Sequence, residues 1–232
     1  MQYLPLAPVY FSVLVGLSVL LLLLIQIGAL RYAYMRLGVS PRTALALLFG
    51  SLVGSYFNIP ITELPGQQVL SGDYVYFFGM RYGVPYLVQW PGTVLAVNVG
   101  GAVIPTAMSL YLLFRYEIWV TGFIAVAVVA AVCNWMAEPV PGLGIALPVF
   151  IPALVTGITA LVLSREHAAQ LAYIGGSLGT LIGADLLNLG DISRIGAPVA
   201  SIGGAGTFDG IFLTGILAVL LASLTTPRQA NA

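Results

Sequence analysis

Apolar runs of about twenty residues, each ended by a short polar or Gly/Pro-bearing break, recur along the chain. A helix needs about 20 apolar residues to cross a bilayer. On that count the runs predict seven spans, at 8–31, 43–61, 92–114, 118–137, 145–164, 169–189 and 207–226. The expected fold class is an all-α membrane protein, one polytopic domain over residues 1–232. One connection breaks the rhythm. Residues 62–91 are too long for a connector, and within them QQVLSGDYVYFFGMRYGVPYLVQW sets a Ser-Gly-Asp turn signal between β-prone runs. That pattern predicts a β-hairpin. Its aromatics Tyr74, Tyr76, Phe77, Phe78, Tyr82, Tyr86 and Trp90 suit either an interfacial belt or a lid over an outward-facing site.

Composition turns this pattern into a solvent assignment. The chain is 59% apolar and 7% charged, with mean hydropathy +1.02. Soluble domains carry roughly a quarter charged residues, so lipid is the expected solvent. All eight basic residues are arginine and the formal net charge is zero, which gives no reason to expect nucleic acid as a partner. The arginines also orient the spans. Arg31, Arg36, Arg42, Arg115, Arg165 and Arg228 fall on one side, and only Arg81 and Arg194 on the other. The positive-inside rule then places the N-terminus outside and the C-terminus in the cytoplasm. Positive charge follows the first apolar run, 9–30, instead of preceding it, which reads as an uncleaved span and not a signal peptide. One Cys and one His cannot build the usual zinc sets. P-loop, HExxH and GxSxG motifs are absent. No metal and no cofactor is expected.

With this topology, the polar residues collect at one side. Asn58 and Glu63 end the second span, Asn98 begins the third, and Asn134 and Glu138 end the fourth, one helical turn apart. Asp185, Asn188 and Asp191 end the sixth, while Thr207 and Asp209 begin the seventh. The cytoplasmic half reads as nearly pure hydrocarbon. Asp185 lies roughly 7 Å below the end of its span at 1.5 Å per residue. An acid at that depth costs a few kcal/mol and normally faces protein or a water-filled cavity. Gly175, Gly179 and Gly183 form a small-residue seam on the same span, which predicts close contact with a neighbouring helix.

Asp185 and Asp209 lie on consecutive spans at similar depth. Two carboxyls in hydrogen-bonding range cannot both ionise, so they share a proton. Aspartyl hydrolysis uses such a pair, one carboxylate taking a proton from water while the protonated partner polarises the scissile carbonyl. Gly204 and Gly206, just ahead of Asp209, would let a substrate backbone come close. The best single reading is therefore an intramembrane aspartyl hydrolase acting on a membrane peptide, with Asp185 and Asp209 catalytic. Asn58, Asn98, Asn134, Glu138, Asn188, Gly204 and Gly206 are its binding residues. The same oxygen-rich group also suits a secondary transporter or a cation-binding protein with a small ion as substrate. A third reading is an accessory subunit that binds its own copies or another membrane protein through small-residue seams, including Gly210, Thr214, Ala218 and Ala222.

SLGTLIGADLLNLGD, GGAGTFDGIFLTGILAVLLAS, GSYFNIPITELP and AVNVGGAVIP together resemble a family of uncharacterised bacterial and archaeal multi-pass membrane proteins. The resemblance implies the cytoplasmic (inner) membrane of a prokaryote and carries no activity. A shorter stretch resembles the GxGD-type intramembrane aspartyl proteases, whose catalytic aspartates lie on adjacent helices. Asp185 matches the first and Asp209 the second. The departures are specific: Ala184 stands where that family has Tyr, Thr207 and Phe208 separate the glycines from Asp209, and Pro152, Ala153 and Leu154 precede both acids instead of following them. Asn98-Val99-Gly100 is similar to the Asn-x-Gly motif of lipoprotein signal peptidase.

Overall fold

A computed structural model describes residues 27–65, 68–77, 80–89, 92–140, 144–148, 150–191, 198–204 and 210–225. It is mostly helical. Helix α1 is Ile27–Arg36 and α2 is Pro41–Gly54, the two bent by 120° at a four-residue break. Ser40 starts α2, its hydroxyl accepting from Thr43 N at 3.1 Å, and Pro41 fills the first-turn position where no N–H is needed. The strands β1 (Asn58–Leu64), β2 (Gln68–Phe77), β3 (Met80–Gln89) and β4 (Thr93–Asn98) follow. A π-helical turn at Val99–Val103 then leads into α3, Ile104–Tyr116. Helix α4 is Trp119–Met136. The short strands β5 (Glu138–Val140) and β6 (Gly144–Ala146) precede α5, Phe150–Leu163. Helix α6 (Ala168–Ile174) continues through two π segments, Gly175–Gly179 and Leu181–Leu186. After β7 (Val199–Ile202) comes α7, Gly210–Thr225.

Two continuous helical stretches, Val99–Tyr116 and Trp119–Met136, are long and apolar enough to cross a membrane, and the bent α1–α2 pair adds a third if it acts as one span. Their outward faces carry large apolar side chains: Val120 and Phe123 are each 75% exposed and Trp135 85%. The helix running through residues 168–186 is the reverse. It packs against α3, α4, α5 and α7, and almost all of it is buried. Its glycines make that enclosure possible. A Cβ at Gly179 would lie 2.6 Å from Val129 Cβ, and one at Gly183 would strike Ala130 O, both on α4. On another side, a Cβ at Gly176 would lie 2.8 Å from Gly215 Cα of α7. The predicted seam is thus filled from within the chain. So is the second one, because Thr214, Ala218 and Ala222 are all fully buried.

The all-α expectation needs correction at the helix ends. In a three-stranded sheet of order β1-β4-β7, the start of β1 and the whole of β4 take residues assigned above to the second and third spans. Helix α2 stops at Gly54, and Asn58–Leu64 pairs antiparallel with Thr93–Asn98, Asn58 opposite Asn98. Strand β4 then pairs in parallel with β7, from Val94 opposite Val199 to Val97 opposite Ile202. Pro60 cannot donate a ladder hydrogen bond, and it lies where proline is tolerated, on the edge strand next to an irregularity in register. A further correction concerns Asn134 and Glu138. Helix α4 ends at Met136, so the two do not share a helical face, and Glu138 lies on β5 opposite Ala146. Pro139 supplies the reason, since a residue before proline is pushed out of the α region. Within 62–91, β2 and β3 pair antiparallel from Gln68 opposite Gln89 to Phe77 opposite Met80.

Candidate functional site

The sheet and the ends of α2, α3 and the 168–186 helix meet around Asn98. This side chain is fully buried, and its amide is used completely. Nδ2 donates to Ser55 O at 2.7 Å and to Asn58 Oδ1 at 3.0 Å, and Oδ1 accepts from Gly101 N at 2.8 Å. The last bond caps the π-helical turn into α3, the role asparagine plays at helix starts. Asn58 Oδ1 also accepts from Ser201 Oγ at 2.6 Å, so the amide pair ties all three strands together. Gly100 lets this corner close, because a Cβ there would collide with Ser51 O and Ser55 N of α2.

Asp185 lies on the neighbouring element, within the π segment Leu181–Leu186. A π segment admits an extra residue per turn and re-aims the side chains beyond it. The Asp185 carboxyl is half-buried, and its Oδ2 accepts from Gly203 N at 2.7 Å. Gly203 has φ +90° and Gly204 φ +78°, left-handed values that glycine adopts at low cost. Gly204 N donates to Ser201 O at 3.1 Å and closes the turn that follows β7. Asp185 therefore faces the turn at the end of β7. Asp209 and Gly206, the other residues placed with it by sequence, lie outside the described residues.

Asn188 and Asn134 form a separate link. Asn188 Nδ2 reaches Gly183 O at 2.9 Å, Ala184 O at 3.0 Å and Asn134 Oδ1 at 3.2 Å, binding the last turn of α4 to the end of the 168–186 helix. Glu138 is exposed and lines an open groove of about 520 Å³ with Trp135, Met136, Ala146, Leu147 and Pro148. Among the described residues, no group of three His, Cys, Asp or Glu side chains is placed to hold a metal ion.

The structure thus brings Asn58 and Asn98 together, sets Asp185 against Gly203, and keeps Glu138 apart. Ser201, Ser55 and the Gly101 and Gly203 amides escaped sequence reasoning because they enter through strand register and turn geometry, which no single motif announces. A second omission lies at the opposite end. The half read as hydrocarbon contains Tyr34, Gln170, Tyr173 and Ser177, all buried. On the helix bearing Asp185, the polar residues Gln170, Tyr173, Ser177 and Thr180 recur at intervals of three, four and three. They wind around the helix: Tyr173 meets the Tyr34 ring at 6.1 Å between centroids, Ser177 sits against Gly215 of α7, and Thr180 Oγ1 accepts from Cys133 Sγ of α4 at 3.6 Å.

A family described as "Protein of unknown function (DUF1614)" matches residues 52–221 of the chain. No curated protein and no solved structure matches it.

Proposed function

The chain belongs to the DUF1614 family of proteins of unknown function, and we propose that it is an integral membrane protein that couples transport across the bilayer to proton movement, with Asp185 as the protonatable group. The observation that carries this reading is the placement of Asp185 on the helix through residues 168–186, almost all of it buried, along which Thr180, Ser177, Tyr173 and Gln170 are further buried polar residues. Consecutive members follow one another at roughly 5 Å along the axis at 1.5 Å per residue.

A proton suits this site better than a metal cation does. The Asn58, Asn98 and Asn134 amide oxygens that would form a cation cage each already accept hydrogen bonds from within the chain. A carboxylate, by contrast, exchanges a proton without needing a coordination shell. Ionised Asp185 accepts a charge-assisted bond from Gly203 N, and protonation weakens bonds of that kind. Proton uptake would loosen the turn after β7 from the central helix and bias one arrangement of α7 over another. Reconstituted in liposomes with a trapped pH dye, the wild-type protein should dissipate an imposed pH gradient, and Asp185→Asn should match empty liposomes. Equal dissipation by wild type and variant would overturn the proposal.

One observation favours a second reading, aspartyl hydrolysis by Asp185 and Asp209. Asp185 holds Gly203, and Asp209 follows six residues later in the sequence. In a Cys133→Ala background, Asp185→Cys combined with Asp209→Cys should form a disulfide under mild oxidation, because bridged Cα atoms lie within about 7 Å. Failure of that pair to cross-link removes the dyad and leaves the proton reading standing.

A further inference from the structure

Serine and threonine hydroxyls inside helices normally satisfy themselves on the carbonyl one turn back. Thr156 does so, donating to Pro152 O at 2.6 Å. Ser51, Ser109 and Thr214 do not: each is buried, and among the described residues none of these hydroxyls has a hydrogen-bond partner. The Tyr34 hydroxyl and Gln170 Oε1 share this condition, Tyr34 fully buried and Gln170 3% exposed. A buried polar atom left unpaired is costly, and native structures hold few of them. Several in one helical core call for a function.

Two of these groups, Tyr34 and Ser51, are neighbours. Tyr34 of α1 lies beside Tyr173 of α6 and Ser51 of α2, yet neither meets its hydroxyl in hydrogen-bond geometry. Tyr173 lies beside Ser177 one turn further along its helix. Leu37, Leu48, Met108, Leu112 and Ile174 surround them with apolar side chains. Tyr34, Ser51, Tyr173 and Ser177 present hydroxyls alone, so their natural occupant is uncharged and both donates and accepts hydrogen bonds.

We propose that Tyr34, Ser51, Tyr173 and Ser177 form an inner hydration site, a short file of water linking the buried polar residues of the Asp185 helix to the face where α1 ends. This rests on the proton-transport reading above. Each hydroxyl in the file accepts a proton on a lone pair as it releases its own to the next water, so charge moves while every group returns to its starting composition. At the far end, Arg36 Nη2 donates to Ser223 O at 2.9 Å and holds the ends of α1 and α7 together.

The test uses the intact protein in liposomes. Radiolytic hydroxyl-radical footprinting, which marks side chains in contact with water, should oxidise Tyr34 and Tyr173 despite their burial. Absence of oxidation at both would overturn the hydration site. In a Cys133→Ala background, Ser51→Cys should react with a small thiol reagent, whereas Leu48→Cys, one turn away and equally buried, should not. Equal reactivity of the two would also overturn it. In the flux assay, Tyr34→Phe should cause loss of proton flux. Flux lost in Asp185→Asn but intact in Tyr34→Phe would remove the inner site alone, whereas flux intact in Asp185→Asn would remove the transport reading itself.

Discussion

The Asn98 amide has no polar atom to spare. It joins α2, β1 and the start of α3 through Ser55 O, Asn58 Oδ1 and Gly101 N, all within a fully buried corner. Asn98→Ala leaves two backbone groups unpaired there and should lower stability by roughly 2–4 kcal/mol, measured by unfolding in detergent. Asn98→Asp should be no milder, because a carboxylate would face two acceptors, Ser55 O and Asn58 Oδ1, with nothing to donate. Asn58→Ala should cost less, since that residue is exposed and the Asn98 bonds to Ser55 and Gly101 survive without it. That asparagines gather at the ends of the predicted spans was legible in the sequence. Its role was not, because the same amides serve equally as ligands or as ties until the register of the strands is known.

At the scale of elements, the glycine seam through Gly175, Gly179 and Gly183 could be read directly from its spacing, and α4 fills it as the spacing implies. A Cβ at Gly183 would lie 2.8 Å from both Ala130 Cα and Cys133 Cβ. Gly183→Ala should therefore pry α4 from the central helix and lower stability by about 1–3 kcal/mol, the range for overpacking. Gly190→Ala makes a control, having nothing within 4 Å of its added Cβ, and should leave the unfolding midpoint unchanged. The sheet was much less visible. TVLAVN continues without interruption into the apolar run of α3, and an apolar run of that kind fits a buried strand or a buried helix equally well. The clues were β-branched Thr93, Val94 and Val97, the Gly100–Gly101 pair after them, and Pro60 inside the partner strand.

Across the whole molecule, hydropathy indicated a mostly helical chain with helices able to cross a membrane, but not what those helices enclose. Tyrosine counts as interfacial on a sequence scale, so nothing in the sequence sets Tyr34 and Tyr173 apart, and only packing places them against each other. The orientation proposed from the arginines has a direct check. In a Cys133→Ala background, a membrane-impermeant maleimide should label Glu63→Cys in intact cells, and Ser40→Cys only after permeabilisation. Both positions are exposed, so a reversed or shared pattern would refute the orientation and not merely report burial.

Asp185 as a proton-exchanging carboxyl is the claim on which the transport mechanism turns. Infrared difference spectroscopy during a pH titration reads protonated carboxyl groups by their C=O stretch. The account predicts a carboxyl band in wild type that appears as pH falls, shifts on exchange into deuterium oxide and is missing from Asp185→Asn. An unchanged band in that variant would contradict it.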